Sequence, residues 1–148
     1  MPDNIEIKIN DKELNQILGK LFERTSNLRP LMKNVAGIMA DAVEENFKQE
    51  GQPDKWEELK KATIKLRTKK GYWPGKILQM RGELAASITT AYDESSATVG
   101  SNKEYAAIHQ FGGQAGKNKK VEISARPYLK LKQQDVNKII KNITDYII

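Results

Sequence analysis

The chain contains no cysteine, which excludes a disulfide framework, a thiolate metal site and a thiol nucleophile. It has a single histidine, His109, too few for a histidine-rich metal site. No stretch approaches the ~20 consecutive apolar residues of a membrane-spanning helix. The opening Met1-Pro-Asp-Asn-Ile-Glu-Ile-Lys8 lacks the basic segment and apolar run of a signal peptide, so a cytoplasmic protein is expected. There is no Gly-x-Ser-x-Gly elbow and no Walker-type loop, and Gly112, Gly113 and Gly116 are too sparse to cradle a phosphate. Spacing alone leaves a two-carboxylate site open, but the acids fall mainly on predicted solvent faces. Internal repeats and low-complexity segments are also missing.

What is present is 148 residues, the size of one domain, expected over residues 1–148. Such a chain can bury roughly 68–70% of its unfolded surface, so no metal or cofactor is required to stabilise it. Net charge is +6, from 25 basic and 19 acidic residues, which suits acidic partners without identifying one. The distribution says more. Between Lys60 and Lys70 lie Lys60, Lys61, Lys65, Arg67, Lys69 and Lys70, with no acid, and Lys117, Lys119 and Lys120 form a smaller cluster. Such runs read as solvated surface or as a contact for nucleic acid or an acidic protein.

Ile5, Ile7 and Ile9 alternate with Glu6 and Lys8, the pattern of a half-buried strand. Asn10 with Glu13 reads as a helix start, and Leu14, Ile17, Leu18, Leu21 and Phe22 give that helix an apolar face ending near Thr25-Ser26. Asn27 is expected to cap a second helix with Pro30 in its first turn. Its wide stripe of Leu31, Val35, Ile38, Met39, Ala42, Val43 and Phe47 is broad enough for two neighbours, one of them another subunit, and Gly51 should end it. Residues 51–80 read as a basic aromatic arm: a turn at Gly51–Lys55, a short helix over Trp56–Lys70, and a break at Gly71-Tyr-Trp-Pro-Gly75. Arg81–Ala86 is a helical turn. Ser87–Tyr92 and Ala97–Val99 flank a hairpin turn at Asp93–Ser96. Val121–Ile123 and Tyr128–Leu131 read as further strands. Val136, Ile139, Ile140, Ile143 and Ile147 make the terminal segment an amphipathic helix, although Lys132-Gln-Gln-Asp135 offers no Ser, Thr or Asn cap. The fold class is α+β: a small, mostly antiparallel sheet packed against the N-terminal helices and the C-terminal helix, with a long basic arm.

Two landmarks organise this pattern. Ser101-Asn-Lys-Glu104 has the form of a capping box, predicting a short helix just after Ser101. That helix would carry Tyr105, Ala106, Ile108 and His109 and stop at Gly112-Gly113, where glycine accepts left-handed geometry. Further on, Ala125-Arg-Pro-Tyr-Leu129 is stiffened by Pro127, which pushes Arg126 into extended geometry.

The ordered set Tyr105-Ala-x-x-His109-x-Phe111-Gly-Gly113, a basic loop, Val121-Glu-Ile123, Ala125-Arg-Pro-Tyr-Leu129 and a terminal helix resembles the phage virion morphogenesis, or tail completion, family. The resemblance extends upstream through Trp56, Leu59, Thr63, Arg67, Ile77-Leu78, Gly82-x-Leu84 and Ser87-Ile88, covering roughly Leu31 to the C-terminus. A looser series of Tyr-Ala, Gly and Arg-Pro-aromatic-Leu is similar to head–tail neck proteins of other long-tailed phages. The resemblance implies a non-enzymatic factor for tail completion or head–tail joining, acting in the bacterial host cytoplasm during assembly, with retention in the virion left open. It also implies contact with other neck and tail proteins and a homo-oligomeric ring.

On this basis Trp56, Arg67, Trp73, Tyr105, His109, Phe111, Gly112, Gly113, Arg126, Pro127 and Tyr128 are the candidate motif and subunit-interface residues. Trp56, Tyr72 and Trp73 among lysines either stack on nucleotides or, the favoured reading, anchor the arm to the core or to a neighbour. The arm itself is expected to order on a neighbouring subunit. His109 invites a catalytic story because its pKa lies near neutrality, with Ser101 and Asp93 as unlinked partners. The plainer reading is an imidazole donating to a carbonyl near Gly112 or packing on Tyr105 and Phe111. Arg126 is suited to a bidentate bond with a carboxylate, within the chain or on a neighbour. A basic nucleic-acid-binding protein of prophage origin is the alternative function, with weak non-specific DNA contact compatible with either reading; a small hydrolase ranks third.

Overall fold

The computed structural model describes residues 11–24 and 27–147. The strand expected at Ile5–Ile9 lies outside them. Helix α1, Lys12–Arg24, is capped by Asp11, whose Oδ1 accepts the Leu14 N–H at 2.9 Å. Helix α2, Arg29–Lys48, carries proline in its first turn, and Asn27 Oδ1 accepts the Arg29 N–H at 3.1 Å. The Asp11 bond satisfies an amide that has no partner inside the helix, whereas the N-cap of α2 is Leu28, without a side-chain cap, so Asn27 stands one residue before the capping position expected of it.

Helix α2 is the spine. Its first half, with Leu31, Met32 and Val35, joins Leu14 and Leu21 of α1 and Ile139 and Ile143 of α6 (Gln133–Ile147) in one buried cluster. Its second half, with Val43 and Phe47, joins Trp56, Ile77, Leu84, Ala106, Tyr128 and Leu129 in another. The wide stripe on α2 therefore has its two neighbours within the chain: α6, and the hairpin of β1 (Thr89–Tyr92) and β2 (Ala97–Gly100). That hairpin pairs Thr89 with Gly100 through Tyr92 with Ala97. Asp93 Oδ1 organises its turn, accepting the N–H groups of Ser95 and Ser96 at 2.8 and 2.7 Å, and these bonds hold the Asp93 carboxyl below its usual pKa.

The architecture is α+β, with the strands divided between two separate antiparallel pairs. The second pair is β3 (Gly113–Ala115) with β4 (Val121–Ile123), joined through a 3₁₀ turn at Lys117–Lys119. Helices α3 (Lys61–Lys69), α4 (Glu83–Ala86) and α5 (Ala106–Phe111) complete the order.

Four local expectations are corrected. The helix predicted for Trp56–Lys70 begins only at Lys61, because Trp56 is pulled into the core and its backbone N–H is taken by Glu50 O at 2.8 Å. Helix α5 begins at Ala106 and not just after Ser101: Ser101 is buried, its Oγ meeting Ser87 Oγ at 2.7 Å and accepting the Lys103 N–H, so it forms a turn and not a cap. Among the described residues Tyr128–Leu131 pairs with no strand. Side-chain amides take its backbone groups, as described below. Finally, α6 does have a cap, supplied from inside: Asp135 Oδ2 reaches back to the Lys132 N–H at 2.9 Å, the reciprocal half of a capping box.

Candidate functional site

The Ala125–Leu129 segment is the hub. Its course is set by two buried amides. Asn46, 1% exposed on α2, donates from Nδ2 to Tyr128 O at 2.8 Å and Lys130 O at 2.9 Å. Gln110 on α5 accepts the N–H groups of Tyr128 and Leu129 on Oε1 at 3.1 and 2.9 Å and donates to Leu129 O at 3.2 Å. An extended segment without a strand neighbour must place its backbone groups somewhere, and here two side-chain amides replace the ladder. Tyr128 is buried, stacks obliquely on Phe47 (5.2 Å between centroids) and donates its hydroxyl to Ala106 O at 2.7 Å. Burial pushes its pKa upward.

Arg126 and Pro127 tie the start of the arm to this hub. Trp56, buried edge-on against Phe47, donates Nε1–H to Pro127 O at 3.1 Å. Arg126 donates Nε–H to Glu57 O at 2.9 Å and Nη2–H to Glu58 O at 3.1 Å. The expected carboxylate fork is thus a fork onto two backbone carbonyls. These bonds engage two of the guanidinium's five N–H donors without neutralising it, and burial lowers the Arg126 pKa while nearby Glu57 partly opposes that shift. At its far end the arm is tied again: Glu50 Oε1 accepts the Ile77 N–H at 2.9 Å, and Gln79 Nε2 donates to Phe47 O at 3.2 Å. Residues 51–80 are therefore held at both ends by their own domain.

Between these ties, α3 stands away from α5 and β4 and leaves a cleft of about 480 Å³. Arg67, Tyr105, His109 and Arg126 all line it. Arg67 is 3% exposed; its Nη2 donates to Lys76 O at 3.0 Å, its guanidinium lies 5.6 Å from the Trp73 ring centroid, and its Nε has no hydrogen-bond partner among the described residues. On the opposite wall the His109 ring meets Tyr105 edge-on at 5.8 Å. His109 Nδ1 is buried with no hydrogen-bond partner among the described residues, so the expected bond near Gly112 is not formed through that atom. Burial, and secondarily the Arg126 cation, lower the His109 pKa. Tyr105 is pushed the other way by burial and by Glu83 beside it. Phe111 is 62% exposed and does not cover the imidazole.

Among the described residues Ser101 and Asp93 do not bond to His109; their oxygens are engaged at Ser87 and in the hairpin turn. No group of three or more His, Asp and Glu among the described residues is placed to hold a metal ion, and no described helix is long and apolar enough to cross a membrane. Gly112 closes the wall. At φ +74° its Cβ position would fall 2.8 Å from Ala125 N and 2.9 Å from Ile123 O, so only glycine lets α5 end this close to the strand behind it. Gly113 opens β3 and leaves ordinary space.

The structure thus joins Trp56, Tyr105, His109, Gly112, Arg126, Pro127 and Tyr128 around one hub and sets Arg67 with Trp73 across the cleft. Sequence reasoning missed Asn46 and Gln110. The available signal was position: Asn46 follows Ala42 by four residues and Val43 by three on the apolar face, and Gln110 follows Ala106 by four. A polar residue there calls for a partner.

The cleft, in which no bonded pair of base and nucleophile is seen among the described residues, is walled by cations over an apolar floor and is suited to binding, and the sequence that builds it matches a class of viral assembly factors. The family model described as the phage virion morphogenesis family matches residues 9–147, and the chain belongs to that family. It is 43% identical over 143 residues to the Mu-like prophage FluMu G protein 2 of Haemophilus influenzae, covering 96% of this chain and 95% of the relative. It is 36% identical over 107 residues to protein G of Escherichia phage Mu, a protein named for capsid assembly, covering 70% and 69% of the two chains. A second Haemophilus influenzae relative, FluMu G protein 1, is 33% identical over 92% of this chain and 90% of its own length. No solved structure matches the chain.

Proposed function

We propose that this protein is a non-enzymatic structural factor that completes the tail or joins head to tail during virion morphogenesis. The observation that carries the reading is the family match over residues 9–147. The prophage and phage relatives named above support a role in particle assembly. The factor acts in the host cytoplasm on nascent particles, contacts neck and tail proteins, and closes into a ring of identical subunits, an arrangement that buries unlike surfaces without open-ended growth.

Deleting the gene from its prophage, inducing, and viewing the lysate by negative-stain electron microscopy tests this. Filled heads beside separate tails are expected, with intact particles restored by the complementing gene. Normal infectious particles without the gene would overturn the proposal and bring forward the basic DNA-binding alternative. In that alternative, affinity for DNA would fall steeply with salt.

A further inference from the structure

We propose that the cleft between α3 and the α5–β4 wall is a docking groove for an acidic, apolar segment of another virion protein; this rests on the assembly reading above and names the chemistry of the partner. Four cations line the cleft, Lys60, Arg67, Arg81 and Arg126, against two acids, Glu83 and Glu122. Lys60, Arg67 and Arg126 donate to the backbone carbonyls of Glu122, Lys76, and Glu57 with Glu58. Arg81 lies 5.9 Å from the Tyr72 ring centroid. None of the four forms an ion pair among the described residues, where the pair found is Lys141 with Asp145 on α6. Carbonyls and a ring satisfy geometry but leave net positive charge over a partly desolvated surface, where an incoming carboxylate gains more than it would in water.

The floor defines the rest of the partner. Leu59, Leu78 and Ile123 line it, and Leu66 and Val121 stand at its lips, each 49% exposed. Branched aliphatic side chains at that exposure suit an apolar side chain, and the aromatic rings of the lining, Tyr105 and His109, sit edge-on to each other on one wall and not on the floor. Trp56 is buried and Trp73 is occupied by Arg67. The volume of about 480 Å³ fits within the ~300–1,000 Å³ of built binding clefts. Charge complementarity and the aliphatic floor together favour protein over nucleic acid.

The test uses the full chain and fluorescein-labelled overlapping peptides that tile the head and tail proteins encoded with this gene, read by fluorescence anisotropy. Leu66→Asp and Arg81→Glu are the probes, because both side chains are exposed and thermal unfolding can verify that the variants fold. Expected are bound peptides rich in Asp or Glu around apolar residues, weakened about tenfold by either substitution and weakened by salt as exposed charge contacts are. Peptides that bind without acidic character, binding indifferent to both substitutions, or no binding would each overturn the groove. So would displacement of the peptide by a DNA duplex that Arg81→Glu also releases. Self-association abolished by Leu66→Asp in ultracentrifugation would assign the groove to a second copy instead and likewise overturn it. Complementation separates the two levels. If deletion blocks assembly but the Leu66→Asp, Arg81→Glu gene restores it fully, the groove falls and the assembly role stands. If deletion blocks nothing, the assembly role itself falls.

Discussion

Replacing Asn46 by alanine should be among the most damaging polar substitutions in this protein. Its amide is the donor to Tyr128 O, in a buried bond of 2.8 Å, and to Lys130 O, beside an exposed side chain, at 2.9 Å. Orphaning a buried acceptor costs about 1–3 kcal/mol, and losing a bond that water can replace about 0.5–1 kcal/mol, giving roughly 1.5–4 kcal/mol. In a domain of this size that lowers the melting temperature by roughly 3–16 °C. Asn46→Leu, which restores volume but not the donors, should recover little. Gln110→Ala frees the same segment from its other side, so the double variant should cost less than the sum of the singles by about 0.5 kcal/mol or more, as groups acting on one shared element do. Urea and thermal unfolding of the four variants measure this. A cost for Asn46→Ala within about 0.5 kcal/mol of zero, the range of ordinary surface changes, would refute the claim that amides stand in for a strand ladder. Strict additivity would refute the claim that they clamp one segment.

Gly112→Ala should destabilise by about 2 kcal/mol or more, combining left-handed strain with a clash against backbone, while Ala107→Ser on the exposed face of α5 should be near neutral in the same unfolding assay. Arg126→Lys should loosen residues 57–58, because one ammonium does not reproduce a planar fork onto two carbonyls; faster hydrogen exchange through Glu57–Leu59 with α1 unchanged would show it. His109 has a folded pKa below its unfolded value of about 6.5, so the unfolded chain takes up the proton first. Stability is unaffected above that value and falls as pH drops below it toward the folded pKa; urea midpoints at pH 7.5 and 5.5 should differ by more in the wild type than in His109→Gln. The same variant should also leave phage yield unchanged, and complete loss of yield in a folded protein would revive a catalytic role.

Much of the fold was legible because it is written in periodicity. The stripes of α2 and α6 and the Asp93–Ser96 turn between β1 and β2 follow from spacing and turn chemistry. What was not legible depended on contacts far apart in sequence. Trp56 reads as a helix start until Phe47 and Pro127 draw it into the core. Tyr128–Leu131 reads as a strand because it is extended, and nothing local reveals that its partners are Asn46 and Gln110. Arg126 was visible as a fork, but its acceptors, two carbonyls nearly seventy residues away, are a property of the fold. The cleft was indicated only by its basic wall.

The most direct test of the account adds purified protein to a lysate from the induced deletion prophage and counts plaques. A completion or joining factor should restore infectivity in vitro, with His109→Gln as effective as wild type and a heat-denatured preparation inert. Infectivity that stays at the deletion level despite folded, soluble protein and intact heads and tails would contradict it.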